Sequence, residues 1–406
     1  MRKVGFYSYW FAQASISLAD VVYIMVITTF IYQKTGSALI SSMFPLIKAI
    51  SKLLAGFTSP ILMQRFSYSK LLINLQILKA ALITLLLIAF SPITSHITLL
   101  LLFIVFISFI EGWGGPLISS VVPKIIESNQ LVKANSALST TNQSVQIAGY
   151  TFTGFLVIKF GHMQTLMIAA FLYWVSSICL EITSRFFQGD NLQFSNSSKW
   201  ALMKEGWVYI WRVPTLRIVT MMDVIEGIAG QVWVGAITLV YVKEILHKGN
   251  QWWGFINASY YIGTIIGGMM TILLAKKIQN HLIKSMAIGS FLFSILTLLY
   301  GLNSTPLWAL LLCVAMGPAY QIRDVAQQTS FQSSIEHTLL PQVYASRGIL
   351  ISTITASSTA LVGFVSDHLG IKTVYILASI LIFISAILSF TLNQKAQRNS
   401  TLSSNL

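Results

Sequence analysis

The sequence predicts an all-α integral membrane protein with twelve transmembrane helices arranged as two six-helix halves. Three observations carry this. Of the 406 residues, 55% are hydrophobic and only 9% are charged, with a mean hydropathy of +0.73. A soluble domain carries about 25% charged residues, so this chain needs lipid as its solvent. Apolar runs long enough to cross a bilayer, about 20 residues each, recur from end to end between short polar loops. Finally, blocks of the first half reappear in the second at a constant offset of 209 residues.

The spans read as 6–32, 37–63, 70–91, 97–122, 131–158, 163–184, 215–243, 251–275, 282–301, 306–330, 341–366 and 371–392. Long uninterrupted apolar runs favour helices over barrel strands. The first run, behind Arg2 and Lys3, continues to about Gln33, beyond the h-region of a signal peptide, and reads as a retained span. Cys179 and Cys313 fall inside spans as small buried hydrophobes, with no disulfide implied. Twelve spans put both termini on one side. If that side is cytoplasmic, the inner segments and span ends hold 16 of the loop Lys and Arg and the outer loops 5, which favours cytoplasmic termini. The net charge of +14 is therefore read as loop charge that sets orientation, not as a nucleic-acid surface.

The domain boundaries follow. A six-helix half spans 1–184, a cytoplasmic linker 185–214, a second half 215–393, and a cytoplasmic tail 394–406. In the linker Trp200, Met203, Trp207 and Ile210 recur at helical spacing beside Lys199, Lys204 and Arg212, as in an amphipathic interfacial helix. The offset of 209 places "IYQK" (31–34) on "VYVK" (240–243), Ile126-Glu127 on Ile335-Glu336, Gly154-Phe155 on Gly363-Phe364, and Gly161 on Gly370. Two parallel six-span repeats are a transporter architecture. Gly149, Gly154, Gly263, Gly267 and Gly268 lie within spans, where packing is the simplest role.

Three stretches resemble the major facilitator superfamily, and within it the multidrug, macrolide and siderophore exporters. They are "VVPKIIESNQLVKANSALSTTNQSVQIAGYTFTGFLV" with Pro123, Leu131, Ala134 and Asn135; "LMKEGWVYIWRVPTLRIV" with Glu205, Gly206, Pro214, Leu216 and Arg217; and "TGSALISS" at 35–42. The resemblance covers essentially the whole chain. It implies alternating access and proton-coupled efflux of amphipathic small molecules, be they drugs, antibiotics or siderophore-like compounds. The family's gating loop usually reads G-x-x-x-D-R-x-G-R. Here "PILMQRFSYSK" keeps Arg65 but has Gln64 for the acid, Pro60 for the first glycine and Ser67 for the second. "GFVSDHLG" at 363–370 resembles the same pattern, but the predicted topology places it outside.

No phosphate-binding loop, H-E-x-x-H, paired-cysteine metal site or nucleophile elbow occurs. The six histidines lie at loops or span ends. No enzyme, catalytic residue or metal site is expected, and no cofactor beyond a proton gradient.

Ionisable residues within spans are the functional candidates. They are Asp20 in span 1, Lys48 and Lys52 in span 2, Glu111 in span 4, Asp223 and Glu226 in span 7, and Arg323 and Asp324 in span 10. Asp20 and Lys48 sit roughly 21 and 22 Å above the cytoplasmic helix ends at about 1.5 Å per residue. They are expected to pair, with Lys52 left as a free cation facing a cavity. That pair is either a static brace of helix register or a group whose protonation changes as water access switches. Lys79, nearer the cytoplasmic end, is expected to snorkel. Asp223 and Glu226 are three apart on one helix face, placed to share one proton. Arg323 and Asp324, as sequence neighbours, point in different directions. Glu111 precedes "GWGGP", expected to distort span 4 and turn backbone carbonyls toward a cavity. Trp113 and Trp233 are candidates to line that cavity, or to pack or anchor at the interface.

The reading is a secondary transporter in a bacterial-type cell membrane, multi-pass and monomeric. Its partners are a small-molecule substrate and the bilayer, not nucleic acid. An importer or facilitator of a specific solute is the alternative. A non-transporting scaffold or receptor would not need ionisable groups at the membrane midplane.

Overall fold

The computed structural model describes residues 2–36, 38–187, 199–233, 235–249 and 251–403. Every regular element among them is helical. The first half holds α1 (Arg2–Thr35), α2 (Ala38–Arg65), α3 (Tyr68–Ile88), the short α4 (Phe90–Ser95), α5 (Ile97–Ser119), the short α6 (Val121–Ile125) and α7 (Leu131–Ser184). After α8 (Lys199–Arg212) come α9 (Pro214–Gly230), α10 (Gly235–Glu244), α11 (Gln251–Leu273), the short α12 (Ala275–Asn280), α13 (Leu282–Leu302), α14 (Pro306–Ser333), α15 (Leu340–Leu369) and α16 (Ile371–Ser403).

The 54 residues of α7 are two spans joined without a loop. Gly161 breaks them with φ 82°, in the left-handed region that L side chains avoid. Its counterpart at the 209-residue offset, Gly370, has φ 80° and joins α15 to α16 in the same way. With α7 divided, with α9 and α10 taken as one bent span, and with α14 counted on its length, the spans number twelve among the described residues, six in each half.

Two expectations change. Span 7 is not continuous: α9 ends at Gly230, a 3-10 turn covers Gln231–Trp233, and the second piece leaves at 48°. Gly227 and Gly230 carry no side chain to hold the helix there, and Gln231 turns its side chain back to the Gly227 carbonyl at 3.3 Å. The Gln231 amide oxygen in turn accepts from Thr359 of α15 at 2.9 Å. Conversely, "GWGGP" does not distort α5, which stays helical to Ser119 despite Pro116. The break follows at Ser120, and tyrosine hydroxyls cap the carbonyls there. Tyr68 donates to Leu117 O at 2.6 Å and Tyr9 to Ile118 O at 2.8 Å. These carbonyls are closed off by protein, not opened to a cavity.

The helices form two compact units. Unit 1 is residues 1–126, 144–207 and 336–349; unit 2 is 127–143, 208–335 and 350–406. Each unit thus takes the first turns of one helix from the other half of the sequence, and the exchanged stretches begin at Glu127 and Glu336, 209 residues apart. Unit 1 has an apolar core built around Tyr23, Phe44, Leu100, Leu166 and Tyr173. The core of unit 2 centres on Tyr241, Tyr300, Cys313, Met316 and Tyr375. Large apolar side chains such as Ile88, Ile158 and Leu273 stand almost fully exposed, as lipid-facing residues do. The predicted linker helix is α8; Ile210 is buried and Trp207 half-buried, while residues 188–198 and the side chains of Lys199, Trp200 and Met203 lie outside the described residues.

Candidate functional site: two buried polar clusters

In unit 1, five ionisable side chains from four helices meet. Asp20 of α1 is held by Lys79 of α3, whose Nζ lies 2.7 Å from Oδ1, and by the hydroxyl of Tyr173 of α7, which donates to the same oxygen at 2.5 Å. The Lys79 ammonium also sits 4.5 Å from the centre of the Tyr173 ring. Glu111 of α5 is clasped by both lysines of α2. Lys48 Nζ is 3.1 Å from Oε2 and Lys52 Nζ 2.5 Å from Oε1. Lys79 lies 3.8 Å from Glu111 Oε2 and links the two carboxylates into one network.

Local sequence explains the clasp. Lys48 and Lys52 are one helical turn apart, so each reaches one carboxylate oxygen. Gly112, next to Glu111, lets α5 press on α2: a Cβ there would come within 2.9 Å of Lys52 Cα and 2.6 Å of Ala55 Cβ. Exposure is graded, from a Lys79 side chain at 4% to a Lys52 side chain at 38%.

The pairing therefore differs from the sequence expectation. Asp20 pairs with Lys79 and not with Lys48, Lys48 pairs with Glu111, and Lys52 is not a free cation. Lys79 does not snorkel but is the most deeply buried of the three. Counting residues along upright helices gave axial level only. It ignored which helices adjoin and the length of a lysine stem, which spans about a helical turn.

In unit 2, Glu226 of α9 is enclosed by hydroxyls. Ser385 of α16 donates to its Oε1 at 2.6 Å and Ser290 of α13 at 3.4 Å. Arg323 of α14 approaches Oε2 with Nε at 3.6 Å, beyond hydrogen-bond range. The guanidinium carbon lies 4.8 Å from the Tyr320 ring centre and 5.4 Å from that of Phe293. Asp223 accepts from Gln327 Nε2 at 2.8 Å. Glu226 is thus met by Ser385, Ser290 and Arg323, and Asp223 by Gln327. One helical turn separates the two acids, and α14 reaches both, with Arg323 at Glu226 and Gln327 one turn on at Asp223. Arg323 is buried and Asp324 half-buried, in keeping with different directions.

Trp113 donates from Nε1 to Thr58 Oγ1 at 2.8 Å, which ties α5 to α2. Trp233, at the break between α9 and α10, stacks on Tyr260 with ring centres 5.7 Å apart. Arg65 is exposed at the end of α2; the Gln64 side chain lies outside the described residues. The first turns of α7 contribute a polar seam on α14: Asn135 Nδ2 donates to Thr329 Oγ1 at 2.9 Å and Gln332 Oε1 at 2.8 Å, and Ser139 to Gln321 Oε1 at 3.0 Å. Sequence reasoning missed Tyr173, Ser290, Ser385 and Gln327. Serines and tyrosines are ordinary in spans and carry no signal. Gln327 stands one turn beyond Arg323, the one cue that was legible. No group of His, Cys, Asp or Glu arranged to hold a metal occurs among the described residues.

The relatives agree with this architecture. The profile of the Major Facilitator Superfamily matches residues 6–350. The uncharacterized MFS-type transporter YfmI of Bacillus subtilis (strain 168) is 35% identical over 389 residues, covering 95% of this chain and 96% of its own. Macrolide efflux protein A of Streptococcus pyogenes is 21% identical over 410 residues, 97% of this chain and 96% of that one. Among solved structures, the transporter FucP in its outward conformation superposes with a TM-score of 0.74 at 14% identity, covering 95% of this chain and 98% of that one. A bacterial homologue of the iron transporter ferroportin, outward-facing with soaked iron, gives 0.74 at 10% identity, over 96% and 98%. At such identities the structural likeness speaks for the fold alone. The family match across most of the chain, together with a relative at 35% identity over nearly its full length, shows that the chain belongs to the Major Facilitator Superfamily of multi-pass membrane transporters, which are not enzymes.

Proposed function

We propose that the protein exports amphipathic small molecules in exchange for protons, by alternating access, as a monomer in a bacterial cell membrane with both termini cytoplasmic. The observation that carries proton coupling is the Glu226 site. A serine hydroxyl donates to a carboxylate and accepts from a carboxylic acid equally well. Arg323 is near enough to favour the anion and too far to lock it by a hydrogen bond. The site can therefore hold Glu226 in either protonation state. The likeness to macrolide efflux protein A supports the outward direction. No cofactor is required, because the gradient supplies the work.

The test is accumulation of labelled phenylbutyl compounds (carboxylate, amide and amine) in cells with and without the protein, each with and without a protonophore. Export predicts lower accumulation in expressing cells, abolished by the protonophore. Higher accumulation in expressing cells would make the protein an importer. Orientation is tested in a variant with Cys179 and Cys313 replaced. A cysteine at Ser304 should react with an impermeant thiol reagent in intact cells, and one at Ser197 should not. The reverse labelling pattern would invert the topology.

A further inference from the structure

The polar cluster of unit 1 contains a charge that its own members leave unbalanced. Asp20 and Glu111 are the only acidic residues among the first 126, and they face three lysines. With every group ionised the cluster carries one positive charge in excess. Excess charge away from water is unfavourable, so the cluster attracts a single anion.

The position of Lys52 shows where such an anion would enter. Lys79, Lys48, Glu111 and Asp20 have side chains 4%, 12%, 14% and 22% exposed, whereas Lys52 is 38% exposed. The outermost group of the cluster is thus a cation. Its ammonium has three donors, and Glu111 Oε1 occupies one of them. The exposed end does not look toward lipid. At 3.6 residues per turn, the exposed apolar residues Leu46, Ile50, Leu54 and Phe57 lie on the opposite side of α2. A charged group facing hydrocarbon would also be costly. Lys52 therefore lies on the side of α2 turned away from these lipid-facing residues.

We propose that this cluster is an anion-recognition site, and that the transported amphipaths are monoanions whose carboxylate docks on Lys52. The incoming carboxylate takes the place of Glu111 at Lys52, while Lys48 keeps Glu111 neutralised. The inference rests on reading the chain as an exporter of amphipathic small molecules and narrows their class.

Binding to the purified, full-length protein is measured by equilibrium dialysis with labelled phenylbutyrate, phenylbutanamide and phenylbutylamine, which share a skeleton and differ in charge. Wild-type protein should bind phenylbutyrate saturably, about tenfold or more tighter than the other two. Lys52→Met should abolish that preference, and Lys52→Arg should keep it. Glu111→Gln, which removes the competing carboxylate, should tighten phenylbutyrate binding; this opposite sign decides the matter if Lys52→Met fails to fold. Equal binding of the three compounds, no saturable phenylbutyrate binding, or a preference that survives Lys52→Met would overturn the proposal. The readout needs no gradient. Anion-selective binding without proton-driven export would refute the transport reading alone, and unselective export would refute this one alone.

Discussion

Each unit buries a polar cluster among its helices, and the two are built on opposite charge. In unit 1, three lysines enclose two carboxylates. In unit 2, two carboxylates, Glu226 and Asp223, stand one helical turn apart on α9, and Arg323 is the cation that approaches Glu226. The offset of 209 does not carry one cluster onto the other. Asp20, Lys48, Lys52, Lys79 and Glu111 fall on Ala229, Asn257, Tyr261, Ile288 and Tyr320. Glu226 and Arg323 fall on Ser17 and Gly114. What the halves share is backbone punctuation, as in Gly161 and Gly370. The scaffold is repeated while the chemistry is not, and so the two clusters are suited to different tasks.

The contacts differ in kind as well. Unit 1 is closed by direct ion pairs of 2.5 to 3.1 Å. Breaking one there leaves a buried charge unpaired, so the largest effect is expected at Asp20. Asp20→Asn strips Lys79 of its nearest anion and should cost about 3–5 kcal/mol, seen as lost thermal stability of the solubilised protein. Adding Lys79→Met should restore most of it, whereas adding Lys48→Met should not. Rescue by Lys48→Met alone would reinstate the pairing expected from depth.

A smaller loss is expected where α2 meets α5. Gly112→Ala would push a methyl group against Ala55 and Lys52. Overpacking of this kind costs about 1–3 kcal/mol. It should also loosen the clasp on Glu111, lowering phenylbutyrate selectivity together with stability. Unchanged melting in Gly112→Ala would show that the helices are not pressed together there.

The mildest change belongs to unit 2. Ser385→Ala removes one hydroxyl from Glu226 and leaves Ser290 in place. A hydrogen bond to a charged group contributes about 1.5–3 kcal/mol when Glu226 is ionised and about 1 kcal/mol when it is neutral. The loss should therefore be greater at high pH than at low pH. A loss of equal size at both would mean that Glu226 does not change protonation.

Much of the scaffold was legible in the sequence because lipid imposes simple rules on it. The span predicted at 282–301 is Leu282–Leu302, and that at 251–275 is Gln251–Leu273. The break in span 7 was not legible. Glycines are common in membrane helices, and nothing local separated Gly230, at the break, from Gly267, inside α11. The ionisable residues that form the clusters were identifiable, since a charge in an apolar run stands out. Their partners were not. Depth orders residues along the membrane normal, but pairing is decided by which helices adjoin, and that is a property of packing. Lys79, with Asp20 on one side and Glu111 on the other, shows this most plainly.

The division of labour between the clusters is tested most sharply in proteoliposomes with an imposed pH gradient. Glu226→Gln should lose gradient-driven accumulation of phenylbutyrate and still exchange labelled for unlabelled phenylbutyrate at equal pH. Glu111→Gln, in the other unit, should keep its response to the gradient. Gradient-driven accumulation that survives in Glu226→Gln, or disappears in Glu111→Gln while exchange persists, would contradict the assignment of the proton to unit 2.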